Sequence, residues 1–352
     1  MKIIVAIDSF KGCLTSVQAN AAACRGVLQQ HPEAEVLKIP VSDGGEGWTE
    51  AFHAALGGEL KQAEVLDPLM RPIEACYLKK DELAVIEIAK ASGLTLLAPE
   101  ERNPLMASTY GTGQLIADAI RQGCQRFIVG LGGSATSDAG MGMLQALSDA
   151  FANGQHLSKV DFLRDMQFSI ASDVTNPLYG LMGAAHVFGP QKGATPAMVE
   201  ELDRRAMLFA EQSALHDGYD CSHQPGAGAA GGLGYAFLQY LHADQRLGID
   251  LLLDTINFDK LLENTNLVIT GEGASDAQTL MGKLPFGIMQ RAKRQGVSTA
   301  LIAGRITDKE TLLSAGFAQV MCINPDGLPL EEAMKVEVAE RNITHTTGCL
   351  VK

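Results

Sequence analysis

The sequence predicts an α/β protein: a doubly wound, parallel-sheet domain of the flavodoxin or Rossmann type, with a second, mixed α/β domain inserted into it. Three observations carry this prediction. Apolar strand-like runs alternate with helix-like runs at both ends of the chain. Between residues 60 and 89 the strand-like runs are joined by links too short for parallel crossovers. The length, 352 residues, suggests about two domains. The expected division is 1–60 plus 260–352 for the parallel domain and 61–259 for the insertion.

The elements follow in order. "KIIVAID" (2–8) is a short apolar run that ends in an acid, as a buried strand does. "TSVQANAAACRGVLQQ" (15–30) is a helix with Thr15 as N-cap, and "EVLKIPV" (35–41) is a second strand, completing a βαβ unit. "LKQAEVL", "IEACYLK" and "LAVIEIA" are strands joined by "DPLMRP" and "KDE", and are therefore expected to be antiparallel neighbours. Helices are expected at "YGTGQLIADAIRQ", after Asp138, and over 196–215, where Pro196 occupies the first turn. The last third restores alternation. "NLVIT" (266–270), "STALIAG" (298–304) and "AQVMCIN" (318–324) are strands, separated by helices at "PFGIMQRAKRQ" and "DKETLLSA".

Composition excludes several function classes. A net charge of −13 argues against broad contact with nucleic acid or an anionic membrane, both of which need a basic field. No apolar run is long enough to span a bilayer. The apolar part of "MKIIVAIDSFKG" is too short for a secretion signal, so a cytoplasmic location is the expectation. The seven cysteines form no CxxC pair and the eight histidines no HxxxH spacing, which removes a disulfide framework, a zinc site and imidazole–metal chemistry.

The chemistry-bearing residues gather where parallel sheets place their ligands, just beyond the carboxyl ends of strands. "DSFKG" begins at Asp8, "SDGGEG" at Ser42, "GLGGSATSDAG" at Gly130, "SDVTNP" at Ser172 and "GEGASDAQT" at Gly271. Each follows a predicted strand, and each combines glycine or a hydroxyl with a carboxylate. Glycine lets a backbone approach a phosphate and expose its N–H groups. Hydroxyls add donors, and carboxylates hold Mg²⁺ or accept a proton. The combination reads as phosphoryl transfer. "GPQKGATP" adds Lys192 at a glycine-flanked turn before a helix, and Lys11 and Lys283 stand in similar settings, so three lysines can offset acids around an anionic substrate.

Two nucleotide patterns are present only superficially. "GLGGSA" fits G-x-G-x-x-A but lacks an acid at the end of a following strand, and "GAGAAG" (226–231) lacks the preceding strand. The "GK" at 282–283 has Ala277 where a P-loop needs glycine and Leu284 where it needs Ser or Thr.

Taken together, "DSFKG", "SDGGEG", "RNPL…STYGTG", "GLGGSATSDAG", "SDVTNPL", "FGPQKGATP", "PGAGAAGGLG" and "GEGASDAQTLMGK" resemble, in order and spacing, the bacterial type I glycerate kinases, over about residues 2–335. The resemblance implies two α/β domains with the active site in the cleft between them. It implies ATP and Mg²⁺ as co-reactants and D-glycerate as substrate, with 2-phosphoglycerate as the usual product. The chain departs from the pattern at Ser42, at Trp48 and at Cys13 after "FKG". It departs also in a shortened stretch between the helix at 138–150 and "IASDV", and in "KVEVAERNITHTTGCLVK", which does not look like the family's closing helix.

On this basis Asp173 is expected to be the general base, its turn stiffened by Asn176–Pro177, with Asp8 second and Lys11 holding substrate or phosphate. Gly132, Gly133, Ser134 and Thr136 are expected to cradle phosphates together with Lys192, Gly228 and Gly231. Asp138, Glu272 and Asp276 are the expected metal ligands. Ser9, Asp43, Gly44, Gly45, Glu46, Gln278, Thr279 and Lys283 are expected around the substrate. The partners are then glycerate and ATP, without nucleic acid or membrane, in a monomer or homodimer. The alternatives are a kinase for another small hydroxy acid or polyol, an NAD(P)-dependent oxidoreductase resting on "GLGGSA", and a nucleotide sensor without turnover.

Overall fold

The structure is a computed structural model that describes residues 1–152 and 160–352. The shortened stretch before "IASDV" falls partly at 153–159, outside the described residues. The chain divides into two compact units. One comprises Met1–Asp43, Glu50–Gly57 and Ile249–Lys352, and the other Gly44–Thr49 and Gly58–Gly248. Residues 249–259, expected in the insertion, thus pack with the first unit, and 44–49 with the second.

The first unit is built on strands β1 (Lys2–Ile7), β2 (Glu35–Lys38), β9 (Leu267–Ser275), β10 (Ser298–Ile306) and β11 (Gln319–Cys322). All pairings are parallel, in the order β11-β10-β9-β1-β2. From β1 the chain winds outward through helix Ser16–Gln30 to β2. From β9 it winds the other way, through helices Leu284–Arg294 and Lys309–Ala315, to β10 and β11. The direction reverses between β1 and β9, which makes that seam the ligand-binding position of the sheet.

Local chemistry explains the elements. Thr15 closes a capping box: its hydroxyl accepts from the Gln18 amide at 3.2 Å, and the Gln18 side chain accepts from the Thr15 amide at 2.9 Å. Ile3, Val5 and Ile7 alternate onto one face of the sheet and pack against Ala19, Ala23 and Val27. Met289, Leu301, Leu312 and Val320 form a second cluster.

Two expectations need correction. "NLVIT" continues as strand through "GEGAS" to Ser275, so Glu272 stands on a strand and not in a loop. Its neighbour β10 runs on to Ile306 and supplies the partners, while Gly271 admits the close approach, since a Cβ there would lie 2.3 Å from the Ile302 carbonyl oxygen. The C-terminal run is likewise a fold element. Helix Val336–Leu350 packs on helix Ser16–Gln30 at Gly26, where a Cβ would meet the Thr344 carbonyl oxygen and Thr347 Oγ1 at 2.1 Å each. Thr344 Oγ1 donates to the Ala22 carbonyl at 3.0 Å and Thr347 Oγ1 to the Ala23 carbonyl at 3.2 Å, locking the contact.

The second unit carries β3 (Glu59–Leu66), β4 (Pro72–Lys80), β5 (Leu83–Glu87), β6 (Arg126–Gly130), β7 (Gln167–Ala171) and β8 (Asp244–Arg246), hydrogen-bonded in that order. The short links make β3–β4 and β4–β5 antiparallel, and the remaining pairs are parallel. Helix Ala229–Tyr240 of this unit was not foreseen, nor were helices Trp48–Leu56 and Gly248–Thr255, most of whose residues belong to the first unit. Ala229–Tyr240 is buried almost throughout, so it shows no apolar stripe, and it opens with Ala230, Gly231 and Gly232 at positive φ. Among the described residues no helix is long and apolar enough to cross a membrane.

Candidate active site

Asp8 follows the last residue of β1 at the β1–β9 seam, its amide bonded to the Gly271 carbonyl at 2.9 Å. Its Oδ1 accepts the Ser9 amide at 2.7 Å. Burial pushes its pKa up to about 7, and the nearby Asp43 carboxylate adds to that; the Ser9 amide and Lys11 pull the other way. Glu272 faces the same space from β9. Its Oε1 accepts from Ser275 Oγ at 2.9 Å and Thr279 Oγ1 at 2.7 Å, and Lys283 Nζ stands 3.8 Å from Oε2.

These residues open onto one cavity of about 620 Å³. Asp8, Ser9, Lys11, Asp43, Glu272 and Lys283 line it, so six residues singled out from three separate sequence motifs meet in the first unit. Helix Leu284–Arg294 begins at the cavity wall, where its N-terminal dipole favours an anion. Asp276, Gln278 and Thr279 lie on the adjoining turn. Asp276 accepts the Gln278 amide at 2.8 Å and caps that turn, Gln278 is exposed, and Thr279 holds Glu272 in place.

The other expected site residues belong to the second unit. The Gly132 amide donates to the Gly44 carbonyl at 2.9 Å, and a Cβ on Gly132 would lie 2.4 Å from Gly45 Cα. The loops of "SDGGEG" and "GLGGSA" therefore pack backbone on backbone, which explains their paired glycines; Glu46 is exposed beside them. Asp173 is exposed beyond β7, its Oδ1 accepting the Gly248 amide at 3.2 Å.

Three of the expected site residues carry structural contacts of their own. Asp138 accepts from the Thr109 amide (2.9 Å), Thr109 Oγ1 (2.8 Å), the Gly140 amide (3.1 Å) and the Gly142 amide (3.1 Å), so both oxygens tie the loop to helix Met141–Phe151 and the Thr109 turn. Burial raises its pKa against those bonds. Both oxygens are engaged in the fold, and among the described residues no three His, Cys, Asp or Glu side chains form a metal cage by themselves. Gly231 has φ +71° and lies where a Cβ would be 2.0 Å from the Thr136 carbonyl oxygen; a Cβ on Gly228 would be 2.2 Å from that of Pro177. Gly231 thus packs against the 136–139 turn and Gly228 against the Asn176–Pro177 turn.

Lys192 is 4% exposed, and its Nζ donates to Ser134 Oγ and the Thr136 carbonyl, each at 2.7 Å. It braces the "GGSAT" loop from inside. Burial lowers its pKa to about 7, opposed by the Asp138 charge. Unfolded, the group titrates near its ordinary 10.5. Between those values the unfolded chain binds the proton and the folded chain does not, so stability gained from this residue rises with pH. Measured against Lys192→Met by chemical unfolding, wild-type stability is expected to climb from pH 7 to about pH 10. A constant difference across that range would contradict the lowered pKa.

With this geometry in place, comparison with known proteins is decisive. The profile described as the glycerate kinase family matches residues 3–352. The chain belongs to the glycerate kinase family. A Bacillus subtilis glycerate kinase is 40% identical over 95% of this chain and 93% of its own. The Escherichia coli glycerate 2-kinase is 41% identical over 88% of this chain and 86% of its own. A crystal structure from Salmonella typhimurium LT2 described as a glycerate kinase 2 superposes with a TM-score of 0.85 at 37% identity, covering 100% of this chain and 97% of that one. The family match runs past residue 335, so the C-terminal helix belongs to the glycerate kinase pattern after all. The oxidoreductase alternative falls with the same finding.

Sequence reasoning overlooked the cavity's second wall, from Ile323 and Asn324 to Ala339. One signal was available: "NPDG" follows a predicted strand end, as the five chosen loops do.

Proposed function

We propose that the protein transfers the γ-phosphoryl group of ATP to the 2-hydroxyl of D-glycerate, forming 2-phospho-D-glycerate, and that Asp8 is the general base. The observation that carries this is Asp8 itself: a half-buried carboxyl whose pKa is pushed up to about 7, at the sheet's switch point, lining a cavity with two lysines. The relation to a glycerate 2-kinase supports the choice of hydroxyl.

In this mechanism the Asp8 carboxylate takes the proton of the glycerate hydroxyl. The freed oxygen bonds to the γ-phosphorus while the bridging oxygen leaves with ADP, and Asp8 returns its proton to solvent. Lys11 and Lys283 supply positive charge for the glycerate carboxylate and the phosphates. Asp173, exposed in the second unit, is the weaker choice for the base.

The donor set also fits Mg²⁺. Asp8, Asp43 and Glu272 present carboxylates to one cavity, and a magnesium ion needs only one or two of these when phosphates and water complete its shell. Asp43 and Glu272 would hold it; once bound it neutralises charge on the phosphates. The enzyme acts in the cytoplasm, where ATP is supplied, as a monomer or homodimer.

Incubation with ATP, Mg²⁺ and D-glycerate, followed by phosphorus NMR, is expected to show ADP and a phosphate doublet coupled to the C2 proton. A product coupled to the C3 protons would move the site of transfer to the other hydroxyl, and ADP without a phosphoglycerate would remove glycerate as the acceptor.

A further inference from the structure

The cavity of the first unit is chemically divided along the strand order. Beside β1 and β9 it is lined by charge: Asp8, Lys11, Asp43, Glu272 and Lys283. Beyond the ends of β10 and β11 the lining turns mostly apolar, with Phe10, Ile323, Leu330, Ala333, Met334 and Ala339; Arg305 and Asn324 are the polar side chains there. The two parts are continuous. Cβ positions built on Gly273 and Gly304 would lie 3.8 Å from Phe10 Cα and 3.6 Å from Phe10 Cε1, so Phe10 spans the ends of β9 and β10. Met334 Cε reaches over the "SFKG" turn, 3.5 Å from a Cβ built on Gly12. Asn324 belongs to the frame: its Nδ2 donates to the Gly304 carbonyl at 2.8 Å and its Oδ1 accepts from Asn342 at 3.1 Å. Arg305 is exposed.

We infer that this apolar half is the nucleoside subsite, seating the adenine ring against Phe10, Ile323 and Met334 with the triphosphate extending toward Lys11 and Lys283. The inference rests on the proposed use of ATP. Glycerate carries a polar group on every carbon. It has no apolar surface to bury, and it would leave most of a cavity of about 620 Å³ empty. Of the two substrates only the nucleotide has a flat, weakly polar ring, and aromatic and thioether side chains are suited to its faces. Its other end is polyanionic and matches the charged half. Leu330 and Met334, 75% and 38% exposed, leave the ring a path of entry. The nucleotide is thereby assigned to the first unit, and not to the glycine-rich loops at 130–136 and 226–231.

The test is calorimetric binding of two probes, ADP and inorganic tripolyphosphate, to the full-length protein and two variants. Met334→Ala removes ring contact at a partly exposed position, and Ala333→Phe fills the apolar half. ADP affinity is expected to fall about fivefold or more in the first and about tenfold or more in the second. Tripolyphosphate, which has no ring, is expected to bind all three proteins alike. If folded variants bind ADP as the wild type does, or lose both probes equally, the subsite is wrong. Should Ala333→Phe fail to fold, Met334→Ala decides alone. A wild-type protein that binds ADP in this way but phosphorylates no glycerate would overturn the activity and leave the subsite standing.

Discussion

Replacing Asp8 with Asn is expected to lower kcat by about 10³-fold, within the range for loss of a general base, while ADP binding changes only a few-fold. Size and the Ser9 contact are kept; only the proton acceptor goes. Asp173→Asn, made in parallel, is expected to retain most of kcat. The reverse outcome, with Asp173→Asn inactive and Asp8→Asn active, would return the role to the second unit. The wild-type pH profile carries the same signature. Because kcat/KM for MgATP reports groups of the free enzyme, it should fall about tenfold per unit below pH 7, where Asp8 takes up its proton. The stability consequence has the opposite sign. Asp8 ionises near its ordinary 3.8 when unfolded and near 7 when folded. Between those values the folded chain holds the extra proton, and stability falls as pH rises. Asp8→Asn removes that loss, so the inactive variant should melt above the wild type at pH 8. An equal or lower melting temperature there would argue that Asp8 is not held in a desolvated setting.

Gly231→Ala is expected to destabilise the second unit by about 3 kcal/mol or more. Two effects add. The residue sits at φ +71°, where an L side chain is strained, and the new methyl carbon would be 2.0 Å from the Thr136 carbonyl oxygen, a backbone atom that cannot swing aside. The same carbonyl accepts from the buried Lys192 Nζ, so any displacement is passed to the "GGSAT" loop. Denaturant unfolding reads the loss directly. A direct nucleotide contact at Gly231 predicts a different result, unchanged stability with weakened ADP binding, and that outcome would overturn the packing role.

Much of the fold was legible because local chemistry decides it. The βαβ start, the antiparallel run at 60–89 and the closing alternation came from apolar spacing and link length alone. That the first unit's candidate residues gather at one cavity was legible for a similar reason. In a parallel sheet every strand carboxyl end points the same way, so acids and glycines placed just after strands must share an edge. Asp8 and Glu272, 264 positions apart, meet because β1 and β9 are neighbours in register, Ile7 opposite Gly271.

What sequence could not supply was burial and the use each polar atom is put to. Asp138 reads as a metal ligand from its glycine-rich setting, yet its oxygens are occupied by the amides of Gly140 and Gly142 and by Thr109, a residue 29 positions away. Lys192 reads as a phosphate contact, yet it is enclosed, with donors committed to Ser134 and Thr136, more than 50 positions earlier. Gly228 and Gly231 read as a phosphate cradle and prove to be contact points for carbonyls of other loops. By itself, then, the sequence determined the strand and helix pattern, the family, and the set of residues from which the site is drawn, since these depend on periodicity and on motif order. Only the tertiary structure decided which of those residues face a cavity, which are spent on the fold, and that Asp8 is held near neutrality. Desolvation and through-space charge arise from groups that chain packing brings together, and no local pattern encodes them.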